Sequence, residues 1–324
     1  MILSICKILT NNKLGGICNR VKSIKGCVFV ATCMLCTSLL QGTMWNDVTM
    51  KAKGNDNTQI MQVKMMEESI VKPVIVRDKD NKVITSLVKV YPSVHMETSE
   101  DQVGIKTAEV TLEFSDERII ELARETSVQQ PLKVHIECPT DVIKEYIKND
   151  DINQVEITIQ IPDSIMKNRN IQLDEIMLRQ AVITTLIKSE KSITIRIIGD
   201  DKIERYAWFI DGNQQDKREL KVTDLNLMLR VRAATDIESN IIEQLRNETK
   251  EKKEYLIIEF AQLGDLMVHA KINVSLDYAA MVEYGDQVRC LSSNLKDYTD
   301  KVDVNGQISL YISEGKTYIF ETTH

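Results

Sequence analysis

The sequence is poor in the residues that usually advertise chemistry. Its 324 residues hold four histidines, twelve glycines, five prolines and two tryptophans, and aromatic side chains make up 5% of the whole. So few aromatics exclude an extended stacking platform of the kind a generic sugar- or base-binding surface needs. Glycine is too sparse for close cradling of phosphate by backbone N–H groups, and neither G-x-G-x-x-G nor a Walker loop is present. H-E-x-x-H and G-x-S-x-G are missing as well, which removes zincin and nucleophile-elbow chemistry. Cysteine is confined almost wholly to one end. Cys6, Cys18, Cys27, Cys33 and Cys36 crowd the first 36 residues, and Cys138 and Cys290 are all that remain for the other 288. Cys33-Met-Leu-Cys36 has C-x-x-C spacing, yet it sits in an apolar run without a second ligand pair, so neither zinc nor redox use is expected. Cys138 and Cys290 are expected as buried free thiols, with a single disulfide as the alternative. No catalytic residue, metal or cofactor is predicted.

Charge divides the chain in the same way. Residues 1–45 carry Lys7, Lys13, Arg20, Lys22 and Lys25 and no acid; taking these five from the total of −7 leaves −12 for residues 46–324. A body that acidic repels phosphate backbones, which excludes nucleic acid as a partner. The basic stretch precedes Gly26–Leu40, fifteen uncharged residues, with Gly42 and Thr43 behind them. This is the pattern of a signal peptide over 1–45. The alternative is an uncleaved membrane anchor, since the uncharged run continues to Trp45 and approaches the roughly 20 residues that span a bilayer.

Residues 46–70 are polar and aperiodic, a flexible lead-in. Val74–Val76 and Val83–Val90 then flank Asp78-Lys-Asp-Asn81 as a hairpin around a solvated turn. With this hairpin at its start, 71–214 is predicted to be an α+β domain, with strands at 108–114, 132–138 and 155–161 alternating with short helices. The longest helix is expected over Leu173–Lys188, where Leu173, Ile176, Met177, Ala181 and Thr185 form one stripe. Three consecutive strands follow, at 192–198, 203–212 and 224–232. In the middle one Tyr206, Trp208 and Ile210 share a face, and Asp211-Gly212 supplies a positive-φ turn. The second domain, 215–324, is expected to be a mainly antiparallel β-sheet or sandwich. It contains a capping box, Thr235-Asp-Ile-Glu238, an Asn305-Gly306 hairpin and a closing strand at Tyr318-Ile-Phe320. The fold class is thus α+β in two domains.

Tyr206-Ala-Trp208-Phe-Ile-Asp211-Gly212, then Asp224-Leu-Asn-Leu, the Asn305-Gly306 turn and Tyr318-Ile-Phe320 together resemble a module of secreted and wall-associated surface proteins of Firmicutes. The likeness covers residues 107–322 and implies an extracellular β-rich module with no catalytic residues to transfer.

The ionisable residues point the same way. His324 is terminal, His95 is expected in a loop and His269 on a polar strand face. His135 shares an outward face with Lys133 and Glu137 while Cys138 points inward, so the two cannot converge as a nucleophile pair. All four histidines are read as solvated. Asp150-Asp151 and Asp200-Asp201 read as turns. The expected function is a non-catalytic, extracellular or cell-surface structural or interaction module. Its expected partner is an envelope component or extracellular protein, and any membrane contact runs through residues 26–45. The alternatives are a glycan-binding module or a carboxylate-dependent hydrolase of envelope polysaccharide, which would need two carboxyls facing one another across a cleft. Trp208 is a ligand-contact candidate only if it is exposed.

Overall fold

The computed structural model describes residues 48–49, 62–63, 72–77, 79–101, 103–215, 222–246, 254–276, 283–291 and 299–323. The expected leader, 1–45, lies outside them. Among the described residues no helix is long and apolar enough to cross a membrane. The chain forms two compact units, 1–67 and 68–324. In the first, within the expected lead-in, β1 (Val48–Thr49) pairs antiparallel with β2 (Gln62–Val63).

The larger unit is α+β, with most of its elements in two sheets and five helices among the described residues. The five-stranded sheet begins with the expected hairpin, β3 (Lys72–Arg77) and β4 (Val83–Val90). The ten-stranded sheet begins with a second hairpin, β5 (Ser93–Glu100) and β6 (Lys106–Glu113). His95 therefore sits in a strand, not in the loop expected beside Pro92. The chain then crosses from sheet to sheet at every step. It runs through α1 (Glu117–Ala123) to β7 (Leu132–Glu137), and through α2 (Thr140–Lys148) to β8 (Gln154–Gln160). It continues through α3 (Asp163–Met166) to β9 (Ile171–Leu178), and through α4 (Gln180–Ser189) to β10 (Ser192–Ile198). Because each sheet receives every second strand, all neighbours in this stretch are parallel: β4, β7 and β9 in one sheet, β6, β8 and β10 in the other. The helices pair by the direction of their crossing, α2 against α4 and α1 against α3.

Strict alternation explains the strands. In β8, Val155, Ile157 and Ile159 are fully buried while the residues between them are partly open. Each such isoleucine contributes roughly 1.5–3 kcal/mol of burial, and the inward rows of both sheets join one core. The expected helix from Leu173 is corrected: 171–178 is strand, and α4 starts only at Gln180. Register with β7 slips at Asp174, where Val134 pairs Leu173 but His135 pairs Glu175. This β-bulge shifts the alternation by one, so Leu173 and Ile176 both face the core three residues apart, the spacing of a helix.

β11 (Glu204–Asp211) pairs antiparallel with β10. Its other neighbour is not residues 224–232, which split between the sheets. β12 (Leu225–Asn226) pairs with β9, and β13 (Leu229–Ala233) pairs with β14 (Glu254–Ser275). The second half of β14 lies beside β11, with Trp208 opposite Ile272. The ten-stranded sheet thus runs uninterrupted across residue 215, where the sequence places its domain boundary. Gly212 has no positive φ; a Cβ there would stand 2.5 Å from the Leu186 carbonyl oxygen and 2.7 Å from that of Lys191. Close approach to α4, and not turn geometry, is what requires glycine.

α5 (Asp236–Arg246) begins at the predicted capping box. Thr235 N–H donates to Glu238 Oε2 at 2.8 Å, and Glu238 N–H donates to Thr235 Oγ1 at 3.3 Å. β15 (Gln287–Cys290), β16 (Thr299–Lys301) and β17 (Gln307–Thr323) complete an all-antiparallel region. β17 does not close the sheet; it lies between β14 and β15. The turn before it is the predicted one, with Gly306 at φ 69° and Asp303 Oδ1 accepting from the N–H groups of Asn305 and Gln307 at 2.8 Å each.

Candidate functional site

Trp208, the weak ligand candidate, is fully buried. Its Nε1–H donates to the Leu227 carbonyl at 3.0 Å, and its ring meets Phe260 edge-on with centroids 5.9 Å apart. It is core and touches no surface. Cys138 and Cys290 are both buried free thiols. Burial, helped by the neighbouring Glu137 charge, pushes the Cys138 thiol up to about 12, so it stays protonated and inert.

His135 faces outward as parity requires, but it is not solvated. It lies between two carboxylates, with Nδ1 2.7 Å from Glu175 and Nε2 3.6 Å from Asp174, and only 19% of its side chain is exposed. These residues belong to a charged network on the outer face of the five-stranded sheet. There Arg179 bridges Glu137 and Asp224, and Asp224 also accepts from Gln180 N–H at 2.7 Å at the start of α4. Burial alone would raise the Asp224 carboxyl, but the Gln180 N–H and Arg179 hold it below the usual range. The network clamps residues 222–226 to α4. His269 is exposed, while its backbone is held by Gln215, whose amide donates to His269 O and accepts from His269 N–H, both at 2.9 Å. Asp150-Asp151 and Asp200-Asp201 lie in turns. Asp201 is committed to Ile203 N–H at 3.0 Å and to Arg205 at 2.6 Å.

What the sequence did not reveal is the outer face of the ten-stranded sheet. Seven strands bring seven residues into one continuous row: Glu97, Glu109, Glu156, Thr194, Phe209, Lys271 and Tyr311. Six strand spacings make that row about 29 Å long. One end is carboxylate on three adjacent strands; the other is aromatic, lysine, aromatic. Phe209 is 37% exposed and Tyr311 70%. The adjoining row runs His95, Thr111, Thr158, Arg196, Ala207, Asn273 and Ser309. Its side chains brace their neighbours. Arg196 reaches Glu204 at 2.8 Å and Glu156 at 3.5 Å, and Ser309 Oγ donates to Asn273 Oδ1 at 2.9 Å. The only hint in the sequence was Phe209 itself, an aromatic on the polar parity of an otherwise amphipathic strand. The three carboxylates stand side by side on an exposed face, an arrangement unlike the cleft-flanking pair of a glycosidase.

A cavity of about 370 Å³ opens elsewhere, beyond the carboxyl ends of β8 and β10 and the amino end of β9. Its walls are apolar, from Ile161, Ile165, Leu173, Met228 and Leu229 among others, and the charged residues lining it are Arg169, Arg205 and Arg230.

No family model matches the chain, and no curated protein matches it.

Proposed function

We propose that this protein is an exported, non-catalytic interaction module that holds an extracellular protein partner on the outer face of its ten-stranded sheet. The observation that carries the reading is the seven-residue row from Glu97 to Tyr311. A rigid sheet holds its members in register, and exposed Tyr and Phe are the anchors enriched at protein interfaces. The charge order selects the partner's chemistry: a basic rim to meet Glu97, Glu109 and Glu156, and an apolar patch to cover Phe209 and Tyr311. The basic, then uncharged, stretch of residues 1–45 supports export, and the Firmicutes-like pattern agrees with a surface location.

The test is retention of extracellular proteins by immobilised protein, compared with Phe209→Ala/Tyr311→Ala and Glu97→Lys/Glu109→Lys variants that melt like wild type. A partner that both variants lose, and that salt weakens, supports the reading. A partner indifferent to both variants overturns it. Retention of a protease-resistant envelope polysaccharide through the same aromatics would replace it with a glycan-binding module.

A further inference from the structure

The cavity beyond β8 and β10 is lined mainly by apolar side chains, and its charged lining is wholly positive in a body of net −12. Volumes of roughly 300–1,000 Å³ with apolar walls and a few placed polar groups are those of small-molecule sites. The position, outside the carboxyl ends of parallel strands, is where open sheets commonly take ligands.

The three arginines differ in what they can do. Arg205 is buried, 7% exposed at its side chain, and already faces Asp201 at 2.6 Å and Asp163 at 3.8 Å. Its charge is spent on holding the 199–205 turn and α3 in place. Arg169 and Arg230 are exposed and come from different elements, the link into β9 and strand β13. Arg169 has no carboxylate partner among the described residues, and Arg230 has only Glu259 at 3.8 Å, a carboxylate that Arg232 holds more tightly at 2.8 Å. The rim therefore offers two available guanidiniums above an apolar floor, and no carboxylate lines the space.

We infer that this cavity binds a small anionic amphiphile, its single anionic head on Arg169 and Arg230 and its aliphatic tail between Ile161, Ile165, Leu173 and Met228. A carboxylate head gains charge-assisted hydrogen bonds from guanidinium donors, and a cationic head is repelled by the same groups. The site is separate from the aromatic row, so its occupation does not depend on the protein partner.

Three ten-carbon probes of different head group test this with the full chain: decanoate, decanol and decyltrimethylammonium, titrated calorimetrically below their micelle concentrations. Decanoate should bind saturably with one site, and the ammonium probe at least 10-fold more weakly. Arg169→Gln/Arg230→Gln should weaken decanoate at least 10-fold and leave decanol and the melting temperature unchanged. Equal affinity for all three heads, no saturable decanoate binding, or a variant that binds decanoate like wild type would each overturn the site. Vesicles of phosphatidylglycerol form the last arm. Co-sedimentation with them, without binding of free decanoate, would show a membrane-surface contact in place of a small-ligand site.

Discussion

Replacing Trp208 by alanine probes the centre on which both sheet halves depend. The side chain is fully buried, so the change removes a large apolar volume from a site whose walls are strands and cannot collapse easily. Trp→Ala in a core costs about 3–5 kcal/mol. The Leu227 carbonyl also loses the indole N–H that lies 3.0 Å away, and an orphaned buried acceptor costs about 1–3 kcal/mol. Loss of the edge contact with Phe260, itself edge-on to Tyr318 at 5.5 Å, loosens the aromatic chain further. The two costs together come to about 4–8 kcal/mol. At about 2–4 °C per kcal/mol for a unit of this size, that corresponds to a fall in melting temperature of about 8–32 °C. Trp208→Phe keeps a ring in the cavity but loses the donor and part of the indole volume, so it should cost less than alanine, with the orphaned carbonyl alone worth about 1–3 kcal/mol. Urea unfolding followed by circular dichroism measures both differences. Emission recorded in a Trp45→Phe background reports Trp208 alone and should be blue-shifted in the folded protein. A loss below about 1 kcal/mol for alanine, or red-shifted emission from the parent, would refute the reasoning.

Two further outcomes follow from ionisation. Cys138, with its thiol raised from 9.0 to about 12 by burial and then by Glu137, should resist alkylation at pH 8 until the protein unfolds. Because the folded value lies above the unfolded one, its contribution to stability is complete below pH 9 and is lost as pH rises toward 12; peptide mapping of the alkylated thiol checks the first point and alkaline melts the second. Glu238 is held down to about 2 by its hydrogen bonds with Arg232, then with the Thr235 N–H and hydroxyl. The sign is opposite: its contribution to the start of α5 is present above about 4.5 and disappears as pH falls toward 2. Amide exchange at residues 236–239 should quicken over that window, and a Glu238 carboxyl that titrates near 4.5 by NMR would contradict the capping geometry.

Local rules were legible in the sequence wherever one segment decides its own structure. The capping box at Thr235, the Asn305-Gly306 turn, the β3–β4 hairpin and the parity of His135 against Cys138 all depend on residues within a few positions of one another. What failed depended on partners far away in the chain. The bulge at Asp174 made a strand read as a helix, because a one-residue slip converts period two into a spacing of three. Residues 224–232 read as one strand, yet Leu225 and Leu229 are claimed by different sheets. Gly212 was assigned to a turn because the carbonyls of Leu186 and Lys191 that exclude a side chain are at least twenty residues away. The candidate face was illegible for the same reason. Glu97 and Tyr311 share a row only through six successive strand pairings, and no window of sequence contains them both.

That crossing pattern also explains where the two candidate sites lie. A chain that passes between sheets at each step must send every link around an end of the layers, so α1 to α4 gather at the ends. Among the described residues, Phe209 and Tyr311 stay exposed on the outer face of the ten-stranded sheet. The links at the two ends are unequal: α1 and α3 have seven and four residues, whereas α2 and α4 have nine and ten. A four-residue helix covers less of the core's edge than the α2–α4 pair covers at the other end. The apolar ends of β8, β9 and β10 are left beneath an opening, and Arg205 and its aspartates hold that opening in shape. The cavity is thus a consequence of a short link in a regular coil.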